Sequence, residues 1–116
     1  MIVAGFGFRK ETTVDSLRDA LARFDVVPDK LATVDAKADA APLVELGWPI
    51  VPVCAQDLKA SEVLTVSLAS LKQYGTGSVA EAAALAAAGP GARLLGARQI
   101  SHDRMATCAI AIGETK

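Results

Sequence analysis

Apolar residues in the first part of the chain occur first as a short run and then at helical spacing. Residues 2–8 form an apolar run interrupted by glycines, which predicts a buried strand that ends in a tight turn. Thr12 or Thr13 can cap a following helix, because a threonine hydroxyl accepts a hydrogen bond from an unpaired backbone N–H group. One apolar face of that helix is predicted from residues three and four apart: Val14, Leu17, Leu21 and Phe24.

Two further short apolar runs predict strands in the middle of the chain. Leu31–Val34 is interpreted as the second strand and Ile50–Val53 as the third. Pro42–Leu46 is predicted to be a short helix, with proline in its first turn and Gly47 just past its end. Because Pro52 cannot donate a hydrogen bond to a neighbouring strand, the third strand is expected at an edge of the sheet.

The part from residue 55 to residue 88 changes from a weak pattern to a strong one. Residues 55–74 show little periodicity, and Ser61–Tyr74 is interpreted as helical in pieces. Ser78 and Glu81 then match a capping box, in which each side chain satisfies the backbone N–H group of the other. We therefore expect Glu81 to be used within this cap. The alanine-rich segment 82–88 predicts a helix whose small face approaches a sheet closely.

The last part of the chain predicts two more strands. Residues 93–96 are interpreted as the fourth strand, and residues 98–104 as a polar loop. Residues 105–112 are mostly apolar on both faces, which indicates a strand covered on both sides. Strands and helices alternate along the chain, so the predicted fold is an α/β class, three-layer α/β/α sandwich with a central mixed sheet. The 116 residues are expected to form one domain, 1–116.

Composition and charge argue against several classes of protein. Hydrophobic residues make up 52% of the sequence, but no apolar run reaches the roughly 20 residues that a membrane helix needs. The formal net charge is −1 and the basic residues are scattered, so neither nucleic acid nor an anionic membrane is expected as a partner. The apolar run at the N-terminus precedes Arg9 and Lys10, the reverse of the order in a signal peptide, and a cytoplasmic protein is expected.

The two cysteines, Cys54 and Cys108, have no spacing typical of metal ligands. Both lie in apolar stretches, which predicts two reduced and buried thiols. The single histidine, His102, completes no metal site with them by any recognisable spacing. We expect the protein to have no metal site and no cofactor of its own.

Two segments are candidate anion-binding sites, because each has glycines close to a predicted helix N-terminus. Their residues are Gly5, Gly7, Arg9 and Lys10 in the first, and Gly75, Thr76, Gly77 and Ser78 in the second. Helix N-termini expose unpaired N–H groups and partial positive charge, and glycines allow a ligand to approach the backbone. The first segment is not a dinucleotide fingerprint, since Lys10 stands where the third glycine belongs, and the spacing of a P-loop is absent. Plain turns and caps remain the alternative interpretation for both.

Two further groups of polar residues are weaker candidates. Asp35, Lys37 and Asp39 follow the second strand, and open α/β sheets bind ligands at strand ends. His102 and Asp103 are neighbours in the polar loop and are candidates for acid–base catalysis. No serine or cysteine nucleophile can be connected with this pair from the sequence. For both groups a solvated surface loop remains the alternative.

Taken in order, several of these segments resemble one family, formed by the CobE proteins and the C-terminal domain of CbiG of cobalamin biosynthesis. The matching segments are 3–13, 31–39, 75–85, 92–95 and 106–112. The most specific segment is GTGSVAEAAAL at 75–85, and the strand followed by Asp-x-Lys-x-Asp at 35–39 supports it. The chain departs from the family at 98–102, where a lysine-bearing loop is usual, and in the stretch before Gly75, where a proline- and serine-containing segment is usual.

The resemblance implies a three-layer α/β/α fold and a ligand derived from a tetrapyrrole, a precorrin or corrinoid intermediate. Such ligands carry acetate and propionate carboxylates, which suit helix N-termini and the side chains of Arg9, Lys10 and Lys37. The resemblance transfers no ligand contact to the two departing regions.

Three functions agree with this resemblance. We rank first a non-enzymatic role, in which the protein binds or carries an intermediate as CobE-like proteins do. The second is that of a CbiG-like hydrolase, which opens the δ-lactone of a cobalt-precorrin and releases acetaldehyde, with His102 and Asp103 as catalytic candidates. The third is a scaffold that supports a neighbouring enzyme of the pathway.

Overall fold

The computed structural model describes residues 1–113, apart from the side chains at positions 69, 73 and 74. These residues form a six-stranded mixed sheet with helices on both faces, as predicted. The strands are β1 (Ile2–Phe8), β2 (Lys30–Val34), β3 (Ile50–Val53), β4 (Arg93–Leu94), β5 (Gln99–Ile100) and β6 (Ala106–Ile112). The helices are α1 (Val14–Ala22), α2 (Ala41–Val44), α3 (Ala55–Ala60), α4 (Leu68–Tyr74) and α5 (Val79–Ala88), with a 3₁₀ helix at Asp35–Lys37.

The sheet places its first and last strands, β1 and β6, side by side at its centre. Its strand order is β3-β2-β1-β6-β4, and β5 also pairs with β6. β1, β2 and β3 are parallel, whereas β6 is antiparallel to β1, β4 and β5. β3 is an edge strand, so the prediction from Pro52 is confirmed. In the middle of the sheet Phe6 pairs with Cys108, a contact between residues far apart in the sequence.

Alternate residues of the central strands face two separate apolar layers, because neighbouring side chains of a strand point to opposite faces. Val3 packs with α3 and α5 on one face, where Leu58 and the alanines of α5 are buried. Ala4 and Phe6 pack on the other face, where Leu17 of α1 is buried. These two cores give the three-layer sandwich that the sequence predicts.

Gly5 and Gly7 lie within β1 and not in a turn, which corrects the interpretation of this segment. A Cβ atom on Gly5 would lie 2.1 Å from the carbonyl oxygen of Ala80 and 2.6 Å from the backbone nitrogen of Ala84. The backbone of α5 therefore rests directly on the sheet at this point. The close approach predicted for the alanine-rich helix is confirmed, and Gly5 is the residue in the sheet that permits it.

Four local interpretations differ from the structure. α3 was not expected, because a six-residue helix with Leu58 as its buried residue shows no periodicity. β5 lies inside the segment that was interpreted as a polar loop, and β4 has two residues instead of the four predicted. Cys54 is exposed at the end of β3, whereas Cys108 is buried as predicted. No helix within the described residues is long and apolar enough to cross a membrane.

Candidate ligand-binding cleft

A cleft of about 470 Å³ opens where the chain leaves the parallel strands β1 and β2. Gly7 and Phe8 line it from the end of β1, and Thr33 and Val34 from the end of β2. The start of β6, together with β5 and α4, forms its other walls. This is the edge at which open α/β sheets bind ligands, because the connections diverge there and leave a crevice.

Positive charge is concentrated in this cleft although the whole chain has a net charge of −1. The cationic side chains that line it are Arg9, Lys10, Lys37, Arg98 and Arg104. No aspartate or glutamate of the described chain lines it, and none of these cations forms an ion pair with a carboxylate of residues 1–113. Unpaired cations that converge on a crevice attract an anionic ligand and can form charge-assisted hydrogen bonds with it.

Lys37 is held at the cleft by its contacts with the end of β1. Its Nζ atom donates a hydrogen bond to the carbonyl oxygen of Phe8 and lies 5.1 Å from the centroid of the Phe8 ring. Partial burial lowers the pKa of Lys37 below its usual value, because the charged ammonium group loses solvation. The lysine therefore presents an oriented and incompletely solvated ammonium group.

Apolar and hydroxyl-bearing side chains complete the cleft. Val34, Val79, Ile100 and Met105 give it apolar surface between the cations. The hydroxyl-bearing residues that line it are Thr33, Ser67, Ser70 and Thr107. The cleft can therefore accept a ligand that is apolar in its body and anionic at its periphery.

The hydroxyls on the sheet side already have partners. Thr33 Oγ1 donates to the carbonyl oxygen of Phe6 at 2.8 Å, and Thr107 Oγ1 donates to that of Gly7 at 3.2 Å. Both bonds fix the end of β1 beside the cleft. Val79, the first residue of α5, also lines the cleft, so the partial positive charge of this helix N-terminus lies close to it.

The capping box at the start of α5 is confirmed in one half and wrong in the other. Ser78 Oγ accepts a hydrogen bond from the backbone N–H of Glu81 at 3.2 Å. The Glu81 carboxylate is not used up in the cap. Instead it accepts hydrogen bonds from Leu64, Thr65 and Arg98.

The second glycine segment does not line the cleft. Gly75 ends α4 in the left-handed conformation with φ of 72°, and the carbonyl oxygen of Gly77 accepts from Ser67 N at 2.6 Å. Thr76 is buried, and its Oγ1 atom has no hydrogen-bond partner within the described residues. This segment joins two helices that border the cleft, and direct ligand contact by Gly75, Thr76, Gly77 and Ser78 stays a prediction.

The residues of the first glycine segment lie in two different environments. Gly7, Arg9 and Lys10 line the cleft, whereas Gly5 is buried under α5. Lys37 joins them from the 3₁₀ helix after β2. Asp35 begins that helix, is exposed and does not line the cleft.

His102 and Asp103 also lie outside the cleft lining. Asp103 accepts hydrogen bonds from Ser16 Oγ at 2.5 Å and Ser101 Oγ at 2.6 Å, and a third from Met105 N at 3.1 Å. These donors, the Ser101 hydroxyl first, lower the pKa of Asp103 to about 2. The carboxylate thus connects the β5–β6 turn to α1 and does not bond to the His102 ring. A catalytic role for either residue stays a hypothesis.

Arg98 and Arg104 are cationic cleft residues that are not among the candidates from the sequence, and the same holds for Ser67 and Ser70. Both arginines belong to the segment that was interpreted as a solvated loop, which the structure folds into the β5–β6 hairpin beside β1. Arg104 adopts the left-handed conformation, with φ of 63°. The signal in the sequence that could have indicated them is the presence of two arginines near the ends of one polar segment. Within residues 1–113, no three potential metal ligands come together.

The fold and the cleft define a three-layer α/β/α domain with a cationic crevice at the ends of its parallel strands. Residues 2–111 match the family model described as cobalamin synthesis G C-terminus, and the chain belongs to this family. It is thus a cobalamin biosynthesis protein related to CobE and CbiG.

Two solved structures are similar to it over nearly the full length. CobE, a protein from the cobalamin (vitamin B12) biosynthetic pathway, is 33% identical, with a TM-score of 0.87; the match covers 100% of this chain and 92% of CobE. The cobalamin biosynthesis protein chiG from Agrobacterium tumefaciens str. C58 is 35% identical, with a TM-score of 0.73, covering 99% and 100%. No curated protein is significantly similar to this chain.

Proposed function

We propose that this protein binds a precorrin or corrinoid intermediate in the cationic cleft and carries it without converting it. The observation that supports this best is the set of cations that line the cleft without an ion pair, in a lining to which no acidic residue of positions 1–113 contributes. A corrinoid intermediate combines an apolar macrocycle with peripheral carboxylates, and the cleft combines apolar surface with these cations. Membership of a cobalamin biosynthesis family makes such an intermediate the natural anionic ligand.

Lactone hydrolysis is the second candidate. Ring opening needs a base that activates water and donors that stabilise the developing oxyanion. The cleft provides donors, but no histidine, cysteine or carboxylate side chain of the described residues lines it. Lys37, whose pKa burial lowers, is the group in the cleft best suited to exchange a proton. We therefore place carrying before hydrolysis, and Lys37 before His102 as the residue to test for turnover.

The first experiment is a titration of the purified protein with hydrogenobyrinic acid and, separately, with its fully amidated form. Visible absorbance and gel filtration detect the complex, and an acetaldehyde assay with a lactone-bearing precorrin detects turnover. We expect the acid to co-elute unchanged and the amide to bind at least about tenfold more weakly, because amidation removes the charges that the cations attract. Acetaldehyde release would make the protein a hydrolase, and no binding of the acid would reject the proposal.

Single substitutions to glutamine at Arg9, Lys10, Lys37 and Arg104 locate the binding site. Each is expected to weaken binding of hydrogenobyrinic acid by about two- to fivefold, the range for solvent-exposed charge pairs. Lys30→Gln is the matched control. Lys30 is exposed at the opposite end of β2, and its substitution removes the same charge. Equal affinities of wild-type protein and a combined Arg9, Lys10 and Lys37 variant would move the ligand out of this cleft.

A further inference from the structure

Glu81 is a fully buried carboxylate in the first turn of α5, and it does not line the cleft. Its Oε1 atom accepts hydrogen bonds from the backbone N–H groups of Leu64 and Thr65, both at 2.9 Å, and from Thr65 Oγ1 at 3.0 Å. Its Oε2 atom accepts from the backbone N–H of Arg98 at 2.8 Å. The carboxylate therefore joins three segments of chain: α5, the segment before α4 and the segment before β5.

This number of bonds explains how a carboxylate is tolerated inside the protein. Burial of an ionised group is costly unless it is fully hydrogen-bonded, and here both oxygens accept from donors. Glu81 also lies in the first turn of α5, where the helix dipole favours negative charge. Such a site holds its donors in fixed positions, because moving any of them would remove a hydrogen bond from a buried charge.

The two segments held by Glu81 supply walls of the cleft. Arg98 lines the cleft with its own side chain, and Glu81 fixes the backbone from which that side chain projects. Thr65 is two residues from Ser67, which lines the cleft and whose side chain caps α4 by accepting from Ser70 N at 3.4 Å. Both walls are therefore tied to one buried group on α5.

We propose that Glu81 is a positioning residue for ligand binding. It sets the affinity of the cleft for an anionic ligand by holding Arg98 and the Ser67 wall in place, without touching the ligand itself. The role rests on the proposed function for the identity of the ligand. The hydrogen-bond geometry on which it depends belongs to the protein alone, so it can be tested with and without ligand.

Glu81→Gln is the informative substitution because it preserves size and breaks one bond selectively. An amide has one acceptor oxygen and one donor NH₂ group. Three donors converge on the Oε1 position, so the amide oxygen is expected to take that position. The NH₂ group then faces the N–H of Arg98, donor against donor. The substitution should release Arg98 while Leu64 and Thr65 stay bound.

The test without ligand is amide hydrogen exchange followed by NMR. In Glu81→Gln we expect the Arg98 N–H to exchange at least about tenfold faster relative to the Leu64 and Thr65 N–H groups of the same sample. Glu62→Gln controls for the loss of a negative charge, because Glu62 is exposed and lies two residues before Leu64. Ile110→Val controls for a general loss of stability, since it removes a buried methyl group on the opposite face of the sheet. An unchanged ratio of exchange rates in Glu81→Gln would overturn the proposal.

The test with ligand is a double-mutant cycle on the affinity for hydrogenobyrinic acid. Glu81→Gln is expected to weaken binding by about three- to tenfold in the wild-type background and by less than about twofold in an Arg98→Gln background, because the two changes then act on the same contact. Equal factors in both backgrounds would show that Glu81 does not act through Arg98. If the wild-type protein binds no hydrogenobyrinic acid, the proposed function fails, and the exchange experiment still decides the role of Glu81.

Discussion

Asp103 illustrates how a side chain acquires its role from the donors around it. As a neighbour of His102 it is a candidate for acid–base catalysis, but its carboxylate accepts bonds from Ser16, Ser101 and Met105 instead. Those bonds favour the ionised form and lower the pKa of Asp103 to about 2. At this scale the residue connects the hairpin that carries Arg104 to α1.

Acid should reveal this connection. The pKa of Asp103 is about 2 in the folded protein and lies below the ordinary value of about 3.9. The contribution of this carboxylate to the free energy of unfolding is therefore fully present above about pH 4. It is lost as the pH falls through about 2. We expect the urea midpoint of the wild-type protein to fall further between pH 4 and pH 2 than that of Asp103→Asn.

In the comparison between these two proteins, the contributions of the other acid-sensitive groups to the pH dependence cancel. The pKa of Asp19 is also lowered, first by the hydrogen bond from the His102 N–H, but this carboxylate is present in both proteins. Parallel pH profiles for the wild-type protein and Asp103→Asn would refute the role of Asp103 as a link in the folded state.

At the scale of elements, the contact between α5 and β1 organises the molecule. The alanines of α5 and Gly5 of β1 have small or no side chains, so the helix backbone touches the sheet. This close contact brings the N-terminus of α5 to the cleft, where Val79 lines it, and buries Glu81 beside the segments that it holds. The cleft geometry thus depends on a distance between two elements.

Gly5→Ala tests this dependence. The added methyl group would lie 2.1 Å from Ala80 O, and because that neighbour is backbone the helix has to move. We expect the free energy of unfolding to fall by about 3 kcal/mol, as in severe overpacking. Gly96→Ala is the matched control, since a Cβ there meets no atom within 4 Å, and it should change stability by less than about 1 kcal/mol. Equal urea midpoints for the two variants would contradict this account.

At the scale of the whole molecule, charge is distributed unevenly. The chain has 12 basic and 13 acidic residues, a balance that argues against nucleic acid and an anionic membrane as partners. Folding nevertheless gathers five of the basic residues around one cleft and leaves the acidic side chains of the described residues outside its lining. The local field, and not the net charge, therefore determines which ligand is attracted.

Salt should weaken ligand binding accordingly. Raising NaCl from about 0.05 M to about 0.5 M is expected to lower the affinity for hydrogenobyrinic acid by about tenfold or more, because partly exposed charges are screened. The combined Arg9, Lys10 and Lys37 variant should show a shallower dependence, and Lys30→Gln should keep the wild-type slope. An affinity that does not change with salt would exclude the cations as the main source of binding.

The sequence by itself determined the elements whose signal is local. The apolar runs of β1, β2, β3 and β6 and the helical stripe of α1 were predicted correctly, because burial on one or both faces leaves a periodic pattern within a few residues. The bond from Glu81 N to Ser78 Oγ was also predicted, since the two residues are three apart. Family membership followed from such segments taken in order, and the family match confirms it.

Only the tertiary structure decided what surrounds the cleft. Arg104 comes close to Arg9 because β6 pairs antiparallel with β1, a contact across more than 90 residues that no local pattern contains. The partners of the Glu81 carboxylate lie 16 and 17 residues away on segments that bend back towards α5. The type of a residue determines which hydrogen bonds its side chain can form. The donors that actually reach it depend on how distant segments of the chain pack. The long strands and the helices α1, α2 and α5 could therefore be predicted from the sequence, whereas α3, β5 and much of the site could not.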